Sequence, residues 1–120
     1  MPGKIEWIEY EGKQILFNDR SNLSPEEIIR NVDEAVEMIK KSGKQEILYL
    51  IDNSNNNIIP KVKDHIKRAG KEVDPFILKT AVMGANQPQK VLLNLLNKIT
   101  RMTIKIFNDP ESAKKWLTGV

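Results

Sequence analysis

Asp52-Asn53-Ser54-Asn55-Asn56-Asn57 is the most polar segment of this 120-residue chain. Side chains of these types bond nearby backbone and so favour turns and helix caps. Where such a run leads into a helix, successive backbone N–H groups also form a concave surface suited to an anion. The segment is therefore a candidate binding loop for a small anionic ligand or a protein partner, in competition with plain service as a connector. The second candidate is apolar. Leu92, Leu93 and Leu96, with Met102 just beyond, carry more apolar surface than one buried stripe requires, and are a candidate gate over an apolar ligand or lipid. Catalytic groupings are poor. His65 sits beside Ile66 in a helical pattern, where a histidine packs or faces solvent more often than it acts as a base. Glu26/Glu27 and Asp33/Glu34 are neighbours near a helix start, where the helix dipole favours acids. No Gly-x-Ser-x-Gly elbow, phosphate loop or Gly-x-Gly-x-x-Gly run occurs. No catalytic residue and no cofactor is assigned, and a non-enzymatic binding or regulatory module is expected.

Composition narrows the classes further. Cysteine is absent and His65 is the single histidine, which excludes disulfide scaffolds, thiolate zinc sites, iron–sulfur clusters and His-rich metal centres. Apolar residues make up 40% and charged residues 29%, an ordinary globular balance. Residues 1–37 hold nine acids against four bases, a net of −5, whereas residues 38–120 hold fifteen bases against seven acids, a net of +8. A nucleic-acid binder would show a denser basic stripe interleaved with aromatics, so a protein partner is the stronger expectation. The start, Met1 to Trp7, shows no apolar leader, and the longest apolar run, Ile47–Ile51, is too short to span a bilayer. A cytoplasmic location is expected.

Two short runs of β-formers, Lys4–Glu9 and Gln14–Phe17, flank Tyr10-Glu11-Gly12-Lys13, a hairpin turn. Ser24-Pro25-Glu26-Glu27 then starts a helix, with Ser24 as cap, Pro25 in the first turn and Glu27 closing a capping box. Ile28, Val32, Ala35, Val36 and Ile39 form its inner stripe, and Gly43 ends it. Glu46–Ile51 reads as a strand covered on both faces, because its apolar run does not alternate. The second helix should place Ile59, Val62, Ile66 and Ala69 inward and stop at Gly70. Lys79–Met83 is the next strand. A third helix opens at Pro88-Gln89-Lys90, with Val91, Leu92, Leu95, Leu96 and Ile99 inward and Leu93 off the stripe. Met102–Phe107 is the last strand, and Asp109 caps a final helix through Ala113, Trp116 and Leu117. One α/β domain over residues 1–120 follows, with an N-terminal hairpin, a mixed and mostly parallel sheet and about four helices. Ligands in such sheets bind beyond the C-terminal strand edge, here Asp52–Asn57, Gly84–Gln87 and Phe107–Asp109.

This order resembles the STAS domain of bacterial anti-sigma-factor antagonists. The likeness rests on Tyr10–Phe17, Ser42–Asp52, Lys79–Gly84 and Phe107–Leu117, and is nearest to small stand-alone STAS-like bacterial proteins. It implies a STAS-like fold and a regulatory, protein-binding role. STAS antagonists are switched by phosphorylation of a Ser or Thr at the start of the helix after the central strand. Here that place holds Asn57-Ile58-Ile59, without a hydroxyl, and Ser54 is the nearest. Asp52 at a strand end also invites comparison with phospho-accepting receiver domains. Those need further acids after the first strand, where this chain has only Asp19 beside Arg20. At the level of topology the pattern is also similar to CRAL-TRIO lipid carriers, which implies an apolar ligand.

Overall fold

A computed structural model describes residues 3–119. Met1 and Pro2, part of the start expected to carry no apolar leader, lie outside the described residues. The hairpin forms from β1 (Ile5–Tyr10) and β2 (Lys13–Asp19). Its two-residue turn is Glu11-Gly12, both at positive φ (51° and 79°), the backbone that matches strand twist. The chain continues through α1 (Pro25–Lys41), β3 (Ile47–Asp52) and α2 (Pro60–Val73). A single 3₁₀ turn at Asp74–Phe76 leads into β4 (Ile77–Met83), α3 (Gln87–Ile99), β5 (Thr103–Phe107) and α4 (Pro110–Thr118).

The five strands lie in sequential order, β1 antiparallel to β2 and the rest parallel. Right-handed crossovers between strands that advance in one direction must leave all their helices on one face. Accordingly α1, α2 and α3 cover one face, and α4, which follows the last strand, covers the other. β3 supplies Tyr49 and Ile51 to the first core and Leu48 and Leu50 to the second, which explains its unbroken apolar run.

Local signals set several boundaries. Ser24 Oγ accepts from Glu27 N at 3.3 Å while Glu27 Oε1 accepts from Ser24 N at 2.9 Å, the expected capping box. These bonds to Ser24 hold the Glu27 carboxyl below its ordinary range. The Ser112 backbone N–H does the same for Asp109, the cap of α4. Three expectations are corrected. Ile59 lies before α2 and is 40% exposed, since the helix starts only at Pro60. Gly70 does not stop α2. It lies inside the helix, which runs on to bury Val73. In α3 the inward residues are Gln89, Leu92, Leu93 and Leu96, while Val91 and Ile99 are exposed at 59% and 37%. Both the expected 91-92-95-96-99 and the observed 89-92-93-96 are helical stripes. The second wins because Gln89 is buried by capping Asn86 and bonding the loop before α2.

Candidate functional site

The Asp52–Asn57 segment closes the C-terminal end of β3 and is largely tied down. Asp52 Oδ1 accepts from Ser54 N at 3.0 Å and from Ser54 Oγ at 2.7 Å. Asn53 N donates to Met83 O at 2.8 Å, fastening the loop to the end of β4. Gly84 permits this approach: at φ 71° it lies where a Cβ would be 2.9 Å from Ser54 backbone atoms. Asn53 and Asn56 are buried. Asn56 Nδ2 donates to Arg20 O at 2.9 Å, and its side-chain oxygen accepts from Gln89 Nε2. Of the six candidate loop residues, only Asn55 and Asn57 are exposed, with Asp52 and Ser54 half-buried. Asn55 adopts φ 56°, a left-handed backbone that Asn tolerates well.

The four candidate gate residues converge elsewhere. Leu92, Leu93, Leu96 and Met102 all line one cavity of about 70 Å³ between the sheet and the helix layer. Leu93 and Met102 are buried rather than placed on an outer lip, at 8% and 7% exposure. Across the cavity stand Ala35 and Ile39 of α1, and Ala69 and Gly70 of α2. Leu96 packs close against Gly70, where an added Cβ would lie 3.0 Å from its Cδ2. An engineered cavity of ~150 Å³ accepts benzene, so the present space suits a chain of a few carbons before any wall moves.

The cavity has a polar end, which sequence analysis did not single out. Arg20 follows β2, is 7% exposed and lines the cavity with Tyr49 and Thr80. Tyr49 and Thr80 are register partners on β3 and β4. Arg20 Nε donates to Asn31 Oδ1 at 2.8 Å and its Nη2 to the Tyr49 hydroxyl at 3.3 Å. Asn18 and Asn31 exchange amide bonds at 2.9 and 2.7 Å, and Asn18 Nδ2 also donates to Tyr49 at 2.8 Å. Thr80 Oγ1 is buried without a hydrogen-bond partner. Two sequence signals pointed here. Asn18 and Arg20 continue the inward parity of Leu16, and Asn31 interrupts the inner stripe of α1 between Ile28 and Val32. His65 bridges helices, its Nε2 2.7 Å from Asp33 Oδ1 of α1. Among the described residues no group of three His, Asp or Glu side chains could hold a metal ion. No helix among them is long and apolar enough to cross a membrane.

A family model described as SpoIIAA-like matches residues 8–118. Among solved structures, the chain is similar to an uncharacterised protein of the DUF3478 family with a SpoIIAA-like fold from Shewanella loihica PV-4. The TM-score is 0.74 at 18% identity, covering 95% of this chain and 92% of that one. At that identity the likeness concerns the fold. No curated protein matches the sequence.

Proposed function

The chain belongs to the SpoIIAA-like family, and from that premise we propose that it is a non-enzymatic binding module whose ligand occupies the apolar cavity beneath α1, α2 and α3. The cavity itself carries the proposal. The four apolar residues Leu92, Leu93, Leu96 and Met102 all line it, and about 70 Å³ within it is unfilled. Such a void forfeits dispersion contacts, and a ligand that fills it restores them. In this proposal α3 is the wall that yields to longer ligands. Displacing it without a ligand would expose apolar surface at about 25 cal/mol per Å², so the open form is minor until a ligand refills the space.

The test is titration with straight-chain alcohols of increasing length, followed by NMR of leucine and methionine methyl groups. Shifts centred on Leu92, Leu93, Leu96 and Met102, with affinity rising along the series, are expected. No shift at these methyls with any alcohol would end the cavity proposal.

A second role is favoured by the surface at the same sheet edge. Asn55 and Asn57 are exposed beside Ile59, itself 40% exposed, and these three would dock a protein partner. Ser54, the hydroxyl nearest the position of the family's phospho-switch, donates its hydroxyl to Asp52 Oδ1.

A further inference from the structure

We infer that the ligand of this cavity is an anionic amphiphile, with a carboxylate held by Arg20, Tyr49 and Thr80 and a short apolar chain lying against α3. This inference rests on the cavity proposal above and adds the chemical class of the head group.

A surplus of buried donors supports it. A guanidinium offers five N–H donors and no acceptor. Two bonds of the Arg20 guanidinium are accounted for, to Asn31 and to Tyr49. No carboxylate among the described residues lies within ion-pair distance of Arg20. Asp19, which precedes Arg20, and its register partner Asp52 are engaged in local turns: Asp19 Oδ1 accepts from Ser21 N and Oγ at 3.0 and 2.5 Å, and Asp52 Oδ1 serves Ser54. The acceptors around the guanidinium are likewise engaged. Asn31 Oδ1 serves both Asn18 and Arg20, and Asn18 Oδ1 serves Asn31. The Tyr49 oxygen accepts from Asn18 and Arg20, leaving its own O–H without an acceptor among the described bonds. Thr80 Oγ1, at 4% residue exposure, has no partner of either kind.

A buried cation without a counter-ion is costly, and so is a buried hydroxyl without a partner. Three groups with donors to spare line the same cavity: Arg20 just past β2, and the register partners Tyr49 and Thr80 in the middle of β3 and β4. What they lack is negative charge and lone pairs. The planar fork of an arginine matches a carboxylate two bonds at a time. Asn53 and Gln89 add two further polar side chains to the lining, and the rest of it is apolar, which suits the alkyl chain of a short or medium fatty acid.

The experiment is calorimetric titration of the intact protein with hexanoate and octanoate, each beside its methyl ester and the matching alcohol. The acids should bind about tenfold to a hundredfold more tightly than the neutral partners, the range a charge-assisted hydrogen bond supplies. Arg20→Gln should abolish that preference and leave alcohol binding in place. Thr80→Val keeps shape and removes the orphan hydroxyl. It should fold at least as stably as the parent while binding the acids more weakly, so it decides the matter should Arg20→Gln fail to fold. Equal affinity for acid, ester and alcohol would overturn the carboxylate inference and leave the cavity proposal standing. Binding of none of them would overturn both.

Discussion

Asn55 and Asn56 are adjacent residues of one type with opposite duties. Asn56 is buried and bonds Arg20 O and Gln89, so it holds the loop before α2 against both β2 and α3. Asn55 is exposed and contributes a left-handed turn conformation. Replacing Asn56 with Ala strands the buried Arg20 carbonyl and removes the shortest of the three bonds that Gln89 Nε2 donates. Asn56→Ala should therefore cost about 1–3 kcal/mol in urea unfolding, whereas Asn55→Gly should be near neutral because glycine accepts φ 56° freely. The same contrast assigns surface duty. If a protein partner docks at this edge, Asn55→Gly with Asn57→Ala weakens capture without the stability loss of Asn56→Ala. Equal stability for Asn55→Gly and Asn56→Ala would show that the loop is not held as described.

Among the elements, α2 brings its smallest residues to the cavity lining. Its inward positions Ala69 and Gly70 are small, and a Cβ at Gly70 would sit 3.0 Å from Leu96 Cδ2 and 3.8 Å from Met102 Cε. That contact is tight, but it meets the end of a flexible side chain with empty space beside it. Leu96 can give way into the cavity. Gly70→Ala should then gain up to ~1 kcal/mol of helix propensity while shrinking the space for ligand. Thermal unfolding and alcohol titration read the two effects separately, with raised or unchanged stability and weakened binding expected together. A variant that loses stability and keeps its affinity would show that Gly70 serves close helix packing instead. The helix layer is cross-tied unevenly. α1 and α2 are joined by His65–Asp33 and by Lys40–Glu72. α3 is held near its ends, by Gln89 to the loop and by Asn97, whose side chain exchanges bonds with Ile104 at 3.1 and 2.8 Å.

For the whole molecule, these ties predict where motion concentrates. The middle of α3, Leu92 to Leu96, faces the cavity without a polar tie of its own among the described bonds, whereas β3 lies between two parallel neighbours under cover on both faces. Hydrogen exchange should slow across Leu92–Leu96 when octanoate is added and stay unchanged across Ile47–Ile51. Protection of α3 that is indifferent to octanoate, at concentrations that saturate calorimetry, would remove it as the yielding wall.

The order of elements, the caps of α1 and α4 and the double burial of β3 were legible in the sequence, because each depends on residues within a turn or a strand length of one another. Ser24 and Glu27 meet inside one helical turn, and a strand without alternation has nowhere exposed to go. The face that α3 buries was not legible. Its run is apolar at Val91, Leu92, Leu93, Leu95, Leu96 and Ile99, so periodicity allows more than one inward stripe, and only the seating of Gln89 chose between them. The polar end of the cavity was further out of reach. Arg20, Tyr49 and Thr80 are far apart in the chain: Tyr49 and Thr80 meet by parallel register, Arg20 reaches Tyr49 through its side chain from beyond β2, and α1 delivers Asn31. Local pattern fixes which residues enter a strand or helix. Unfilled space and unmatched donors arise only where several elements meet, and so only the tertiary structure could decide them.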